Sequence, residues 1–213
     1  RDTVKEFNPD VIAFTVLCSH NWGMTKLLME RAGKTNAKVI LGGKHIITMG
    51  KELIQTPWVD ACCLGDGELA LPEFVNNVIN GEDYSKTLNL SVKIDGKIIQ
   101  NPLDKLNRME DIPFPDWTDY DDRLFYKPLR GRMYRYGYVE ISRGCPFRCP
   151  YCHNEKEHDI FAGLGKFMRN KPIPKVIEEL QWMKDTYGIE IVKFLDEEFL
   201  AKPKKYLKEF AKE

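Results

Sequence analysis

Short apolar runs alternate with helix-period segments through the first part of the chain, and the alternation restarts near residue 138. VIAFTV (11–16), KVILGG (38–43) and VDACCLG (59–65) are unbroken apolar runs. A strand buried on both faces reads this way, whereas a half-exposed strand alternates. Between them, Met24, Leu27, Leu28 and Ala32 predict one face of a helix, and residues 48–55 predict a shorter one. Pro72 predicts a helix start, since proline suits a first turn, with Phe74, Val75, Val78 and Ile79 as its buried face. Strands alternating with helices imply a parallel sheet covered by helices on both faces.

The pattern changes near residue 84. LNLSVKIDGKIIQN (88–101) is two alternating strands about Asp95-Gly96, a strong hairpin signal. Residues 102–136 are rich in proline, aspartate and aromatics around PFPDW (113–117), and read as a long ordered linker. YVEIS (138–142) predicts a strand, followed by a loop holding three cysteines. Ile173, Val176, Ile177, Leu180, Met183 and Tyr187 repeat at helical spacing up to Gly188. IEIVKFL (189–195) predicts the next strand, and Tyr206, Leu207 and Phe210 a further helix. The expected division is an α/β domain with a terminal hairpin over 1–101, a linker over 102–136, and a second α/β domain over 137–213.

Composition narrows this picture without redirecting it. The 213 residues are 43% hydrophobic, with 32 basic and 32 acidic side chains, so net charge favours neither nucleic acid nor a membrane surface. No apolar run spans a bilayer, and the N-terminus lacks the apolar stretch of a secretory signal. Six cysteines without such a signal read as thiols in a reducing, cytoplasmic setting. Cys18, Cys62 and Cys63 sit in apolar runs and are expected as small buried side chains.

The other three need a different explanation. RGCPFRCPYCHN (143–154) spaces them as Cys145-x3-Cys149-x2-Cys152. Three thiolates on one proline-bearing loop can converge on a metal centre. A four-iron cluster held by three cysteines keeps one iron open for chemistry. A structural zinc site prefers four protein ligands, and His153 could be the fourth. Adjacent Cys152 and His153 fit one small tetrahedral ion poorly, so the zinc-stabilised, non-catalytic module is the competing reading. The loop follows a strand that opens a barrel-like β-loop-α-β-α pattern, where barrel active sites lie.

The loop resembles the signature of the radical S-adenosylmethionine superfamily, with aromatic Tyr151 just before the last cysteine. The resemblance implies a partial TIM barrel and a [4Fe–4S] cluster on Cys145, Cys149 and Cys152. It implies that the open iron chelates S-adenosylmethionine and that Tyr151 lies against its adenine. The second barrel strand ends in LDEEF (195–199), not in the superfamily's frequent Gly-Gly-Glu string. Asp196 and Glu197 are similar to the acidic pair of the cobalamin-linked branch, where carboxylates could accept hydrogen bonds from the ammonium.

Open parallel sheets bind ligands beyond the carboxyl ends of their strands. Here those ends are Thr15-Val16-Leu17, Gly42-Gly43 and Gly65-Asp66-Gly67-Glu68. Such turns are also ordinary. An α/β domain, a PFPDW-like linker and the cysteine loop together resemble radical enzymes with an N-terminal, flavodoxin-like or Rossmann-type cobalamin-binding domain. Thr15-x-Leu17, Gly42-Gly43 and the GDGE turn (Gly65 to Glu68) stand where that family has Ser-x-Leu, Gly-Gly and Gly-Glu-Gly-Glu. The resemblance implies cobalamin bound by Thr15, Leu17, Gly42, Gly43, Gly65 and Glu68, and methyl transfer or carbon-skeleton chemistry. It also implies a small-molecule or peptide substrate and an electron donor such as flavodoxin or ferredoxin. Within the class, the alternative is an N-terminal domain that has lost cobalamin. With two barrel strands in view, the 213 residues are expected to be the middle of a longer enzyme, inactive alone.

Overall fold

A computed structural model of the chain describes residues 2–33 and 35–213. They form two compact units, Arg1–Leu106 with Pro150–Gly165, and Asn107–Cys149 with Lys166–Glu213. No helix among the described residues is long and apolar enough to cross a membrane.

The first unit runs α1 (Asp2–Phe7), β1 (Val11–Thr15), α2 (Ser19–Ala32), β2 (Lys38–Gly42), α3 (Lys44–Leu53), β3 (Ala61–Cys63) and α4 (Gly67–Asn80). The hairpin β4 (Leu90–Ile94) and β5 (Lys97–Gln100) follows, and α5 (His153–Ile160) belongs to this unit. The sheet order is β1-β2-β3-β4-β5. The first three strands are parallel and the hairpin adds antiparallel. Asp95 and Gly96 both take positive φ, 49° and 76°, as a two-residue primed turn demands.

The sheet is covered on both faces, as its apolar runs predict. Val39 and Leu41 pack with Met29, Ile46 and Ile54 on one side. Ile40 packs with Ala70, Phe74 and Leu90 on the other. Three expectations need correction. The buried line of α2 is Trp22, Thr25 and Met29, while Met24, Leu27 and Leu28 are exposed. Thr25 can lie inward because its hydroxyl donates to the Asn21 carbonyl at 2.9 Å, and Trp22 packs on Trp58 with centroids 5.6 Å apart. Pro72 does not open its helix: α4 already begins at Gly67, because Glu68, Leu69 and Ala70 propagate it. Cys18 is exposed at the start of α2, unlike buried Cys62 and Cys63.

The second unit runs β6 (Tyr126–Leu129), β7 (Arg132–Val139), β8 (Ser142–Arg143), β9 (Arg169–Asn170), α6 (Ile173–Tyr187), β10 (Ile191–Phe194) and α7 (Lys204–Phe210). The strand expected at 138–142 begins at Arg132, paired with β6 about Arg130-Gly131, a second hairpin inside the aromatic-rich segment. β10 pairs parallel with β7, Ile191 beside Tyr136 through Phe194 beside Val139, and α6 is the crossover. Gly137 lies where a Cβ would overlap Met183 of α6, so the strand and helix pack at closest approach. The PFPDW string is fastened to α6 as well. Tyr187 Oη accepts from the Trp117 N–H at 2.9 Å and donates to Asp116 at 3.2 Å. Trp117 also packs on Tyr187 and Phe125.

Lys171 and Glu179 form a buried ion pair beside this core, with 4% and 3% of their side chains exposed. Removing one partner strands a buried charge. Lys171→Met should cost about 3–5 kcal/mol in urea unfolding. Lys171→Met with Glu179→Leu should regain most of that loss.

Candidate active site

The first three strands are parallel, so their carboxyl ends open on one edge of the sheet. There Thr15, Gly42, Gly43, Gly65 and Glu68 line one cleft of about 380 Å³. Phe14, Cys63, Leu71 and Pro72 are also part of its walls. Leu17 is not among the lining residues and is 59% exposed. The glycines differ in what holds them. Gly43 has φ +98°, and its Cβ would lie 2.8 Å from the Val16 carbonyl oxygen, so the fold itself demands glycine there. At Gly65 a Cβ would lie 2.7 Å from Asn89 Oδ1, which caps the Asp104 N–H. At Gly42 the nearest atom to an added Cβ is Cys63 Cβ at 3.9 Å, an ordinary contact. Glycine at 42 is therefore not required by packing, and its open side belongs to the cleft.

The cysteine loop leaves β7 through β8. Gly144, at φ +80°, runs against the Phe167 carbonyl, where any Cβ would overlap it. Cys145 is buried, Cys149 and Cys152 are half-buried, and none of the six cysteines, all described, is bridged. Tyr151 is 91% exposed. Cys152 stands at the N-cap position of α5, and Asn154 Nδ2 lies 3.6 Å from its sulfur. The donor set fits an iron–sulfur cluster: three thiols on one loop, and no fourth cysteine near them in sequence.

The sequence reading passed over α5. Its segment, HNEKEHDI, is polar and carries no apolar stripe. Only its freedom from glycine and proline marks it as helical. Glu157 of this helix is fully buried and takes a hydrogen bond from Lys44 Nζ at 2.8 Å. Lys44 adjoins the Gly42-Gly43 wall of the cleft. His153 Nε2 lies 3.9 Å from the same carboxylate.

At the end of β10 the acidic pair divides. Asp196 has no exposed side-chain surface, and its Oδ1 accepts from Lys202 Nζ at 2.9 Å and from Ser142 Oγ. It already holds an ammonium, that of Lys202. Burial, then the Asp196 charge, pushes the Tyr206 phenol up to about 12. Glu197 is half-buried. Along β7, Gly137 and Val139 face α6, so Tyr136, Tyr138 and Glu140 face the other way. There they line a cavity of about 480 Å³ with Trp117, Phe125 and Leu195. Glu140 accepts from Arg143 Nε at 2.7 Å beside it.

Two family models match the chain. The B12 binding domain matches residues 1–75, and the Radical SAM superfamily matches residues 139–213. An uncharacterized methyltransferase of Pyrococcus horikoshii is 31% identical over 95% of this chain and 42% of its own length. The anaerobic magnesium-protoporphyrin IX monomethyl ester cyclase of Cereibacter sphaeroides is 27% identical over 100% of this chain and 34% of its own length. The chain thus spans less than half of these relatives. Among solved structures, the radical S-adenosylmethionine methyltransferase TsrM of Kitasatospora setae, with cobalamin and a [4Fe-4S] cluster bound, superposes with a TM-score of 0.63. It is 17% identical, over 93% of this chain and 39% of TsrM. This likeness extends the fold assignment across both units.

Burial raises the Cys62 thiol to about 12 and the Cys63 thiol to about 11, from an ordinary 9.0. In native protein at pH 8 a thiol reagent should therefore spare both and modify exposed Cys18. Both should react on unfolding. Because the folded values are raised, this stabilisation is complete below pH 9 and should be lost as pH rises through about 11 to 12. Thermal unfolding across that range measures it.

Proposed function

We propose that this chain, which belongs to the radical SAM superfamily and carries a B12-binding domain ahead of its radical SAM domain, is part of a cobalamin-dependent enzyme that cleaves S-adenosylmethionine reductively. The observation that carries the reading is the pairing of two features in one chain. A three-cysteine loop follows the first of two parallel barrel strands, and a glycine-walled cleft lies at the carboxyl ends of a parallel sheet. The cluster, when bound, supplies the electron that breaks the sulfonium, and cobalamin a carrier for methyl transfer or carbon-skeleton chemistry.

Cys145, Cys149 and Cys152 hold the cluster in this reading. Exposed Tyr151 is available to cover the adenine, and half-buried Glu197 provides a carboxylate for the ammonium, beside Asp196, which Lys202 already occupies. Thr15, Gly42, Gly43, Gly65 and Glu68 form the wall offered to cobalamin, with Leu17 at its margin. The functional division is 1–101 for cobalamin, 102–136 as linker and 137–213 for the barrel. Turnover needs an electron donor, for which a flavodoxin or ferredoxin is suitable. Unbridged thiols and a reduced cluster suit the cytoplasm.

Two measurements test this. After anaerobic reconstitution, Cys149→Ala should abolish the visible absorption of the cluster, while Cys62→Ala should keep it. Persistence of the chromophore in Cys149→Ala, or four ligands to zinc instead of iron, overturns the assignment. Separately, Gly42→Leu should weaken cobalamin binding at least tenfold, the effect of about 1.4 kcal/mol. Gly42→Ala should fold normally, given the 3.9 Å clearance. A native protein showing no spectral change with cobalamin would favour a domain that has lost the cofactor.

A further inference from the structure

The entry to the cysteine loop and the end of β10 share one buried carboxylate. The Leu195 N–H donates to the Val139 carbonyl at 2.9 Å, so the next residue, Asp196, is held level with the end of β7. Asp196 and Lys202 both have side chains at 0% exposure. Oδ1 of Asp196 accepts from Lys202 and Ser142, and its Oδ2 is buried without a hydrogen-bond partner. Lys202 is fixed in turn by Phe199, whose carbonyl lies 3.4 Å and whose ring centroid lies 4.5 Å from Nζ.

Ser142 stands three residues before Cys145. The backbone around it is pinned by β9 and the residue after it. The Lys171 N–H donates to the Ile141 carbonyl at 2.8 Å, and Ser142 and Arg143 pair with Asn170 and Arg169. Asp196 reaches it through the side chain. Burying a carboxylate and an ammonium costs more than apolar residues of the same size would. Core stability therefore does not account for them, whereas a fixed link from β10 to the loop does.

We propose that Asp196 is a positioning residue: acting through Ser142, it fixes the entry of the cysteine loop and so where Cys145 presents its thiolate. Lys202 holds Asp196 in place through its 2.9 Å contact to Oδ1. The inference rests on the reading that Cys145, Cys149 and Cys152 hold the cluster, and it assigns Asp196 a role without contact to S-adenosylmethionine.

The test is the rate at which a ferrous chelator, bathophenanthroline disulfonate, strips iron from the reconstituted protein. Ser142→Ala should lose iron about tenfold faster, the size expected for one hydrogen bond to a charged group. Ser142→Thr keeps the hydroxyl and should restore the native rate. Met183→Ala, which removes packing behind Gly137 and leaves the loop contacts in place, controls for general destabilisation. A native rate in Ser142→Ala, or equal acceleration in Met183→Ala, overturns the proposal. Asp196→Asn, with a reconstituted cluster, should weaken S-adenosylmethionine and its analogue lacking the amino group to the same degree. A loss confined to S-adenosylmethionine would make Asp196 the ammonium acceptor and overturn the positioning role. Failure of the native protein to assemble a cluster defeats the parent reading, and this one with it. A native cluster indifferent to Ser142 defeats this one alone.

Discussion

Thr15 pairs with Gly42 and Ile40 with Ala61 in the first unit, and Phe194 pairs with Val139 in the second. All these pairings are parallel. Strands that run the same way must end on the same edge, and each connection must cross back by a helix. Within each unit, the loops that follow these parallel strands therefore open on one edge of that unit's own sheet. The glycine-walled cleft, the cysteine loop and the acidic end of β10 all lie at such ends.

Parallel strands buried on both faces leave little space, and the chain meets this with residues that lack a Cβ or that carry paired charge. Gly137 lets β7 approach Met183 and Ile189, and Gly43 lets α3 start against Val16. These glycines are consumed by the fold. Gly42 differs, since a Cβ there has room. Sequence inspection cannot separate the two kinds, because both sit in the same Gly-Gly string.

Buried charge is placed with similar economy. Glu157 with Lys44, Lys171 with Glu179 and Asp196 with Lys202 each combine an almost wholly buried carboxylate with an ammonium. Such pairs add little stability for their desolvation cost, but they fix geometry because each strongly disfavours any arrangement that separates its members. Lys171 sits where β9 meets α6, and Asp196 where β10 meets the cysteine loop. The most strongly specified contacts of the second unit thus stand beside its candidate chemistry.

Local order was legible in the residues themselves. Unbroken apolar runs mark β1 to β3, Asp95-Gly96 marks the hairpin, and the repeat from Ile173 to Tyr187 marks α6, because each depends on neighbours a few positions away. The spacing of Cys145, Cys149 and Cys152 is likewise a property of one short loop. What periodicity could not report was which face is covered. On α2 it selects Met24, Leu27 and Leu28, yet Trp22 and Met29 join the core with β2 and α3, and Thr25 is buried. It gave no sign of α5, whose buried Glu157 is satisfied by Lys44, 113 positions away. Nor could it show that Asp196 is enclosed, since Ser142 lies 54 positions earlier. Sequence determines where strands, turns and thiols fall, because those follow from bonded neighbours. Burial and partnership belong to the tertiary structure, because they depend on residues that only folding brings together.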